Sequence, residues 1–309
     1  MSHTTRRSFV QGLAATFAVP ALLRAAHRGP RFPIGFSTIG CPQWDWRTIL
    51  RRADEWGYRA IEIRGLQGEM DLTKRPELTG SGLAETRKGL EALDLVVSDL
   101  GSSTNLHDRD ETKRKANLDA GRRFIDLAHS MGVPYVRVFG NELPNDEPRD
   151  ETMKRVTDGL KTLGDHAQGS GVTVLLESHG DFVTSPLLTT VMAGAGPGAA
   201  ILWDTHHTFV MGHEAPEATF EAIGKLVRHT HIKDSRPLEK GRDYGALIGQ
   251  GEVPVRGIVE VLAKGGYAGF YSFEWEKVWH PEIPEPEVAF PHYAQTVGHY
   301  LEECGVKPA

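Results

Sequence analysis

From residue 34 onward, short apolar runs alternate with stretches of helical period, and the alternation repeats about eight times. IGFSTIG (34–40) reads as a strand. In DWRTILRRADEWG (45–57), Trp46, Ile49, Leu50, Ala53 and Trp56 fall on one helical face. AIEIRG (60–65), LVVSDLG (95–101), YVRVFG (135–140) and VTVLLE (172–177) continue the strands. Between them lie the helical stretches 83–94, 111–132 and 150–169, the second closed by Gly132 with Pro134 just beyond. AAILWDTHH (199–207), VRHTHIKD (227–234) and GFYSFEWE (269–276) complete the strands; helices are expected at 185–193, 216–226 and 257–264 and in a last segment ending near Cys304.

About eight βα units in one chain predict a single-domain α/β fold, a closed (β/α)8 TIM barrel over residues 31–305. An open doubly wound sheet is the poorer fit, because no glycine-rich dinucleotide fingerprint follows the first strand. In a closed barrel the strand interiors are packed and chemistry gathers at the carboxyl ends of the strands. Four strands end there on ligand-type residues: Glu177 after VTVLL, Asp204 after AAILW, His231 after VRHT and Glu274 after GFYSF. Carboxylates sharing a small volume with one imidazole need a neutralising charge, because unpaired buried like charges are costly. A divalent cation supplies it. Mostly oxygen ligation with one nitrogen suits one Mn²⁺, with Co²⁺ or Mg²⁺ as alternatives, better than a closed structural zinc site.

LLESHGDF, WDTHHTF, HTHIKDS and FEWEKVW, each in order after its strand, with GQGEVPVRGIVEVL leading to the last strand, resemble the sugar phosphate isomerase/epimerase family of xylose isomerase-like TIM barrels. The resemblance spans about residues 31–305. It implies that Glu177, Asp204, His231 and Glu274 are the metal ligands, and that Glu177 and Glu274 are also the catalytic acid/base pair. The implied reaction is proton abstraction beside a carbonyl through an enediolate, giving an isomerase or epimerase. Elimination at the same site, on a substrate such as a 3-keto-glycoside, would make a lyase or dehydratase. His207 matches a substrate-contacting histidine of the family, and His206 is equally available from the residues alone.

Further substrate contacts are expected from His179, from Lys233 if it is not occupied by an inner carboxylate, and from Trp275 by ring stacking. Trp44, Trp203 and Trp279 also fall at or near strand ends, and the partner of Arg137 is not readable. The proline-rich acidic stretch WHPEIPEPEVAFPHY (279–293) is expected to be a loop capping the barrel mouth or a subunit contact. No arginine cluster or helix-opening glycine loop suited to a phosphate stands out, so a free sugar or keto-sugar is the expected substrate. A formal net charge of −6 and the lack of a basic, aromatic-interleaved stripe argue against nucleic acid. Two other classes remain: a three-zinc barrel endonuclease of the apurinic-site type, which would recruit His107, His179 and His207, and a non-catalytic periplasmic sugar-binding protein.

The N-terminus carries a different signal. Arg6-Arg7-Ser8-Phe9 precedes GLAATFAVPALL (12–23), an uncharged stretch too short to span a bilayer, and then Ala25-Ala26. Residues 1–26 resemble a twin-arginine export signal, which implies a periplasmic protein that folds before export and has no stable membrane insertion afterwards. Cleavage near Ala26 would remove three arginines and no acid. Cys41 and Cys304 fall at distant points of the expected barrel, so no disulfide is expected between them. A homo-oligomer is left open.

Overall fold

A computed structural model describes residues 29–309; the expected export signal at 1–26 lies outside the described residues. Eight parallel strands close a barrel: β1 (Ile34–Ser37), β2 (Ala60–Ile63), β3 (Val96–Asn105), β4 (Tyr135–Asn141), β5 (Thr173–Gly180), β6 (Ala199–Asp204), β7 (Val227–Ile232) and β10 (Tyr271–Phe273). Around the wall the order is β1-β10-β7-β6-β5-β4-β3-β2. A two-residue hairpin, β8 (Arg236–Pro237) with β9 (Arg242–Asp243), lies outside the barrel sheet.

The helices that return the chain are α1 (Trp46–Glu55), α2 (Gly80–Ala92), α3 (Glu111–Met131), α4 (Arg149–His166), α5 (Ser185–Ala195), α6 (Thr205–Val210), α7 (Pro216–Ile223), α8 (Val255–Lys264) and α9 (Pro286–Glu303). Their ends are marked by local chemistry. Asp45 and Asp110 accept from the backbone N–H of Thr48 and Lys113 and so cap α1 and α3. Gly132 closes α3 at φ 74°, where a side chain would be strained. Among the described residues no helix is long and apolar enough to cross a membrane.

The large core lies between strands and helices, where Ile61, Val136, Leu176, Ile201 and Ile232 pack against residues such as Ile49, Leu160 and Leu262. The barrel interior is a second, smaller core of Leu175, Ala200 and Leu202 with Tyr135 beside it. Above it the inward positions turn polar and remain buried: Glu62, Asp99, Arg137 and His229. Strand periodicity of two places these residues on the same face as the strand-end ligands of their own or neighbouring strands.

One expected loop is half helix. WHPEIPEPEVAFPHY is irregular only to Glu285, and α9 starts at Pro286. Proline suits the first helical position because its missing N–H would have no partner there. Pro291 lies within the helix and forfeits one hydrogen bond. Burial of Ala289, Phe290 and Tyr293 against the first and last strands outweighs that loss: Tyr293 stacks on Phe273 at 4.4 Å, and Phe290 meets Phe36 at 4.6 Å.

Candidate metal centre and active site

Asp204 and His231 are register partners on β6 and β7, and Glu274 follows β10 with its N–H donating to Ile232 O. Glu177 ends the apolar run of β5. One ligand atom from each of Glu177, Asp204, His231 and Glu274 lies within 4.8 Å of the others, and all four residues are buried. His231 Nδ1 is 3.3 Å from Glu274 Oε1, 3.5 Å from Glu177 Oε1 and 4.0 Å from Asp204 Oδ2. Glu177 Oε2, Asp204 Oδ2 and His231 Nδ1 are buried without a well-directed hydrogen bond. Three carboxylates and one imidazole nitrogen converging within 4.8 Å fit a divalent cation.

Each candidate ligand is held by its other atoms. Asp204 Oδ1 accepts from the N–H groups of His206 and His207 at 3.0 Å, capping α6, so that Oδ2 is the oxygen turned to the side chains of the site. His231 Nε2 donates to Glu62 Oε2 at 2.7 Å, and His229 Nε2 approaches the same oxygen at 3.0 Å. The Glu62 bond favours the tautomer that would present Nδ1 to a metal. Burial raises the Glu62 carboxyl pKa, but the two histidines carry it well below the ordinary value.

Lys233 is buried among three acids: Nζ lies 2.5 Å from Glu274 Oε2, 2.5 Å from Glu276 Oε1 and 2.9 Å from Asp204 Oδ2. It occupies inner carboxylates, one of the two roles its position allowed, and does not border the site cavity. Burial lowers its pKa, but these acids hold it well above the ordinary value, and Lys233 in turn helps draw Glu276 down to about 2. Arg137 Nε approaches Glu177 Oε2 at 3.0 Å, an ion contact whose angle falls short of a hydrogen bond, while its Nη1 donates to Ser102 O. Burial raises the Glu177 pKa, yet Arg137 and His231 bring it to about 2. Both carboxylates are thus held ionised by neighbouring cations, Glu177 by Arg137 and His231, and Glu274 by His231 and Lys233.

These groups open into a cavity of about 540 Å³ at the carboxyl ends of the strands. Glu177, Glu274, His179 and His207 border it. His207 Nδ1 lies 3.1 Å from Asp204 Oδ2, and His179 Nδ1 pairs with Asn141 Oδ1 at 2.9 Å. His206 turns away, its Nε2 2.7 Å from Ser235 Oγ, and burial lowers its pKa to about 2. His107 sits 3.8 Å from Glu142 and belongs to none of the candidate ligand groups among the described residues.

Two expectations need correction. Trp275 does not face the cavity: it is 1% exposed, stacks on Phe273 at 5.4 Å and donates its indole N–H to Pro284 O, so it fills the core. Trp203 is likewise buried, bonded to Thr208 Oγ1, and Trp44 packs against Trp56 and Phe290. Trp279, 56% exposed, is the tryptophan on the cavity, near Tyr244 and His280, which stack at 4.5 Å. The second correction concerns arginine: Arg64 and Arg137 lie side by side in the cavity wall, brought together from β2 and β4 although far apart in sequence. Their signal was the inward parity they share with Glu62 in IEIR and with Phe139 in VRVF, where polar residues interrupt apolar strands.

A family model described as a xylose isomerase-like TIM barrel matches residues 50–291. The chain belongs to this family. The xylose isomerase-like barrel is 27% identical over 274 residues to L-ribulose-5-phosphate 3-epimerase UlaE of Salmonella typhimurium strain LT2, covering 84% of this chain and 92% of that one. Among solved structures it resembles an L-ribulose 3-epimerase (TM-score 0.71, 17% identity, 88% of this chain and 95% of that one). It also resembles the IOLI protein with a bound zinc atom (TM-score 0.69, 19% identity, 89% and 99%). At these identities the solved structures establish the fold of the xylose isomerase-like barrel.

Proposed function

We propose that the protein is a divalent-metal-dependent sugar isomerase or epimerase, working on a sugar or keto-sugar by moving a proton at the carbon next to a carbonyl. The observation that carries this reading is the cluster of Glu177, Asp204, His231 and Glu274, whose ligand atoms meet within 4.8 Å beside a cavity. A bound divalent ion, Mn²⁺ by the oxygen-rich donor set, would polarise the substrate carbonyl and its neighbouring hydroxyl. Glu177 and Glu274, both ionised, are the bases that take the proton. Return of the proton to the other face epimerises; delivery to the adjacent carbon isomerises. His207, His179 and Asn141 offer hydrogen bonds to substrate hydroxyls from the cavity wall.

The relatives whose names are those of sugar epimerases support this reaction class for the chain. Export by the twin-arginine route, read from Arg6-Arg7 and the apolar run behind them, would place the work in the periplasm. Proton NMR in D₂O of Mn²⁺-loaded protein with a panel of ketoses and 3-keto-glycosides tests the chemistry. Deuterium uptake beside a carbonyl is expected, and the product names the branch. No uptake across the panel, with one metal bound per chain, overturns the reading, and near three zincs per chain favours the endonuclease class instead.

A further inference from the structure

Of Lys233, Arg137 and Arg64, Arg64 is the one without a direct ion pair. Lys233 touches three carboxylates and Arg137 touches Glu177. The Arg64 side chain makes no hydrogen bond or ion pair among the described residues; its Nη1 is buried with no partner, and the residue is 7% exposed. It nevertheless borders the cavity.

The backbone makes room for this arrangement. A Cβ on Gly101 of β3 would stand 2.5 Å from Arg64 Cδ and 2.9 Å from Arg137 Nη2, so glycine there lets arginines from β2 and β4 share one space. Burial, then the neighbouring Arg137, lowers the Arg64 pKa to about 9 against the upward pull of Glu177, Glu274 and Glu62, which still leaves it charged at neutral pH. Two buried guanidiniums side by side are costly without an anion between or before them. Glu177, Glu274 and Glu62 balance part of this charge from a distance, but each is held directly by another partner, Arg137, Lys233 or the pair His229 and His231, and none forms an ion pair with Arg64. A planar guanidinium is the side chain best shaped to take a carboxylate or phosphate by two parallel hydrogen bonds.

We propose that Arg64, with Arg137 beside it, binds a permanent anionic group on the sugar substrate, a carboxylate or a phosphate monoester. The proposal rests on the sugar isomerase reading and narrows its substrate class from neutral sugars to sugar acids or sugar phosphates.

Isothermal titration of the Mn²⁺-loaded protein with D-fructose, D-fructuronate and D-fructose 6-phosphate tests it by binding alone. At least one anion should bind about tenfold or more tightly than fructose, as expected for a hydrogen-bonded charge pair. Preference for fructuronate identifies a carboxylate site, and preference for the 6-phosphate a phosphate site. In Arg64→Met the preference should fall to within about twofold, and Arg64→Lys should restore part of it. Equal binding of all three by the wild type, a comparison that needs no variant to fold, overturns the proposal. So does a preference unchanged in Arg64→Met. Charge-selective binding without deuterium uptake would sink the isomerase reading alone, and uptake from fructose without charge preference would sink this inference alone.

Discussion

Glu62 Oε2 takes the Nε2–H of His231 at 2.7 Å across the barrel interior, from a strand three places away round the wall, and so leaves Nδ1 as the nitrogen facing Glu177 and Glu274. The carboxylate acts on the site through the imidazole. Glu62→Gln keeps an acceptor oxygen but loses its charge, and it should weaken Mn²⁺ binding by about 10- to 100-fold with the fold retained. Metal titration followed by intrinsic tryptophan fluorescence checks this; unchanged affinity would show that Glu62 only fills the barrel interior.

His231→Ala and Glu274→Gln separate binding from chemistry. The first removes the nitrogen ligand and should leave purified protein with little metal and an unaltered circular dichroism spectrum. The second keeps a ligand-type oxygen and should retain most of the metal while deuterium exchange falls by about a hundredfold or more, the range of a lost general base. Near-normal exchange in Glu274→Gln would remove Glu274 from the acid/base pair.

Lys233 couples the metal to stability. It balances Asp204, Glu274 and Glu276, two of which are candidate metal ligands. Lys233→Met should therefore cost about 3–5 kcal/mol in chelator-treated protein, the usual penalty for stranding buried charge. Added Mn²⁺ should recover part of the loss by neutralising the same carboxylates. Urea unfolding with and without the metal measures both values, and equal destabilisation in the two conditions would contradict the coupling.

Trp275 and Trp279 lie four residues apart and should answer differently. Trp275 is 1% exposed and bonded to Pro284 O, so Trp275→Ala should lose about 3–5 kcal/mol of stability. Trp279 is 56% exposed on the cavity rim, so Trp279→Ala should shift stability by about 0.5 kcal/mol or less and act on substrate binding instead. Thermal melts compare the pair directly, and a large loss of stability in Trp279→Ala would place that ring in the packing.

The barrel was legible because every unit repeats the same two periods, and because strands buried on both faces read as apolar runs. The strand-end cluster was legible for a related reason: Glu177, Asp204, His231 and Glu274 each interrupt such a run where it reaches the barrel mouth. Glu62, Arg64 and Arg137 interrupt their strands just as plainly. Their partners, however, lie on strands reached only after the sheet closes, as with Glu62 and His229, which are 167 positions apart. Trp275 and Trp279 show the same limit, since sequence places both near one strand end and cannot say which ring turns inward.

Local periodicity, caps and strand-end chemistry, all short-range properties of the chain, determined the fold class and singled out the four candidate ligands. Tertiary structure decided which cation meets which carboxylate, which tryptophan borders the cavity, and that Arg64 makes no direct ion pair. Closing the barrel brings side chains from non-adjacent strands into one low-dielectric space, and electrostatic pairing there depends on distances of a few ångströms that sequence separation does not encode.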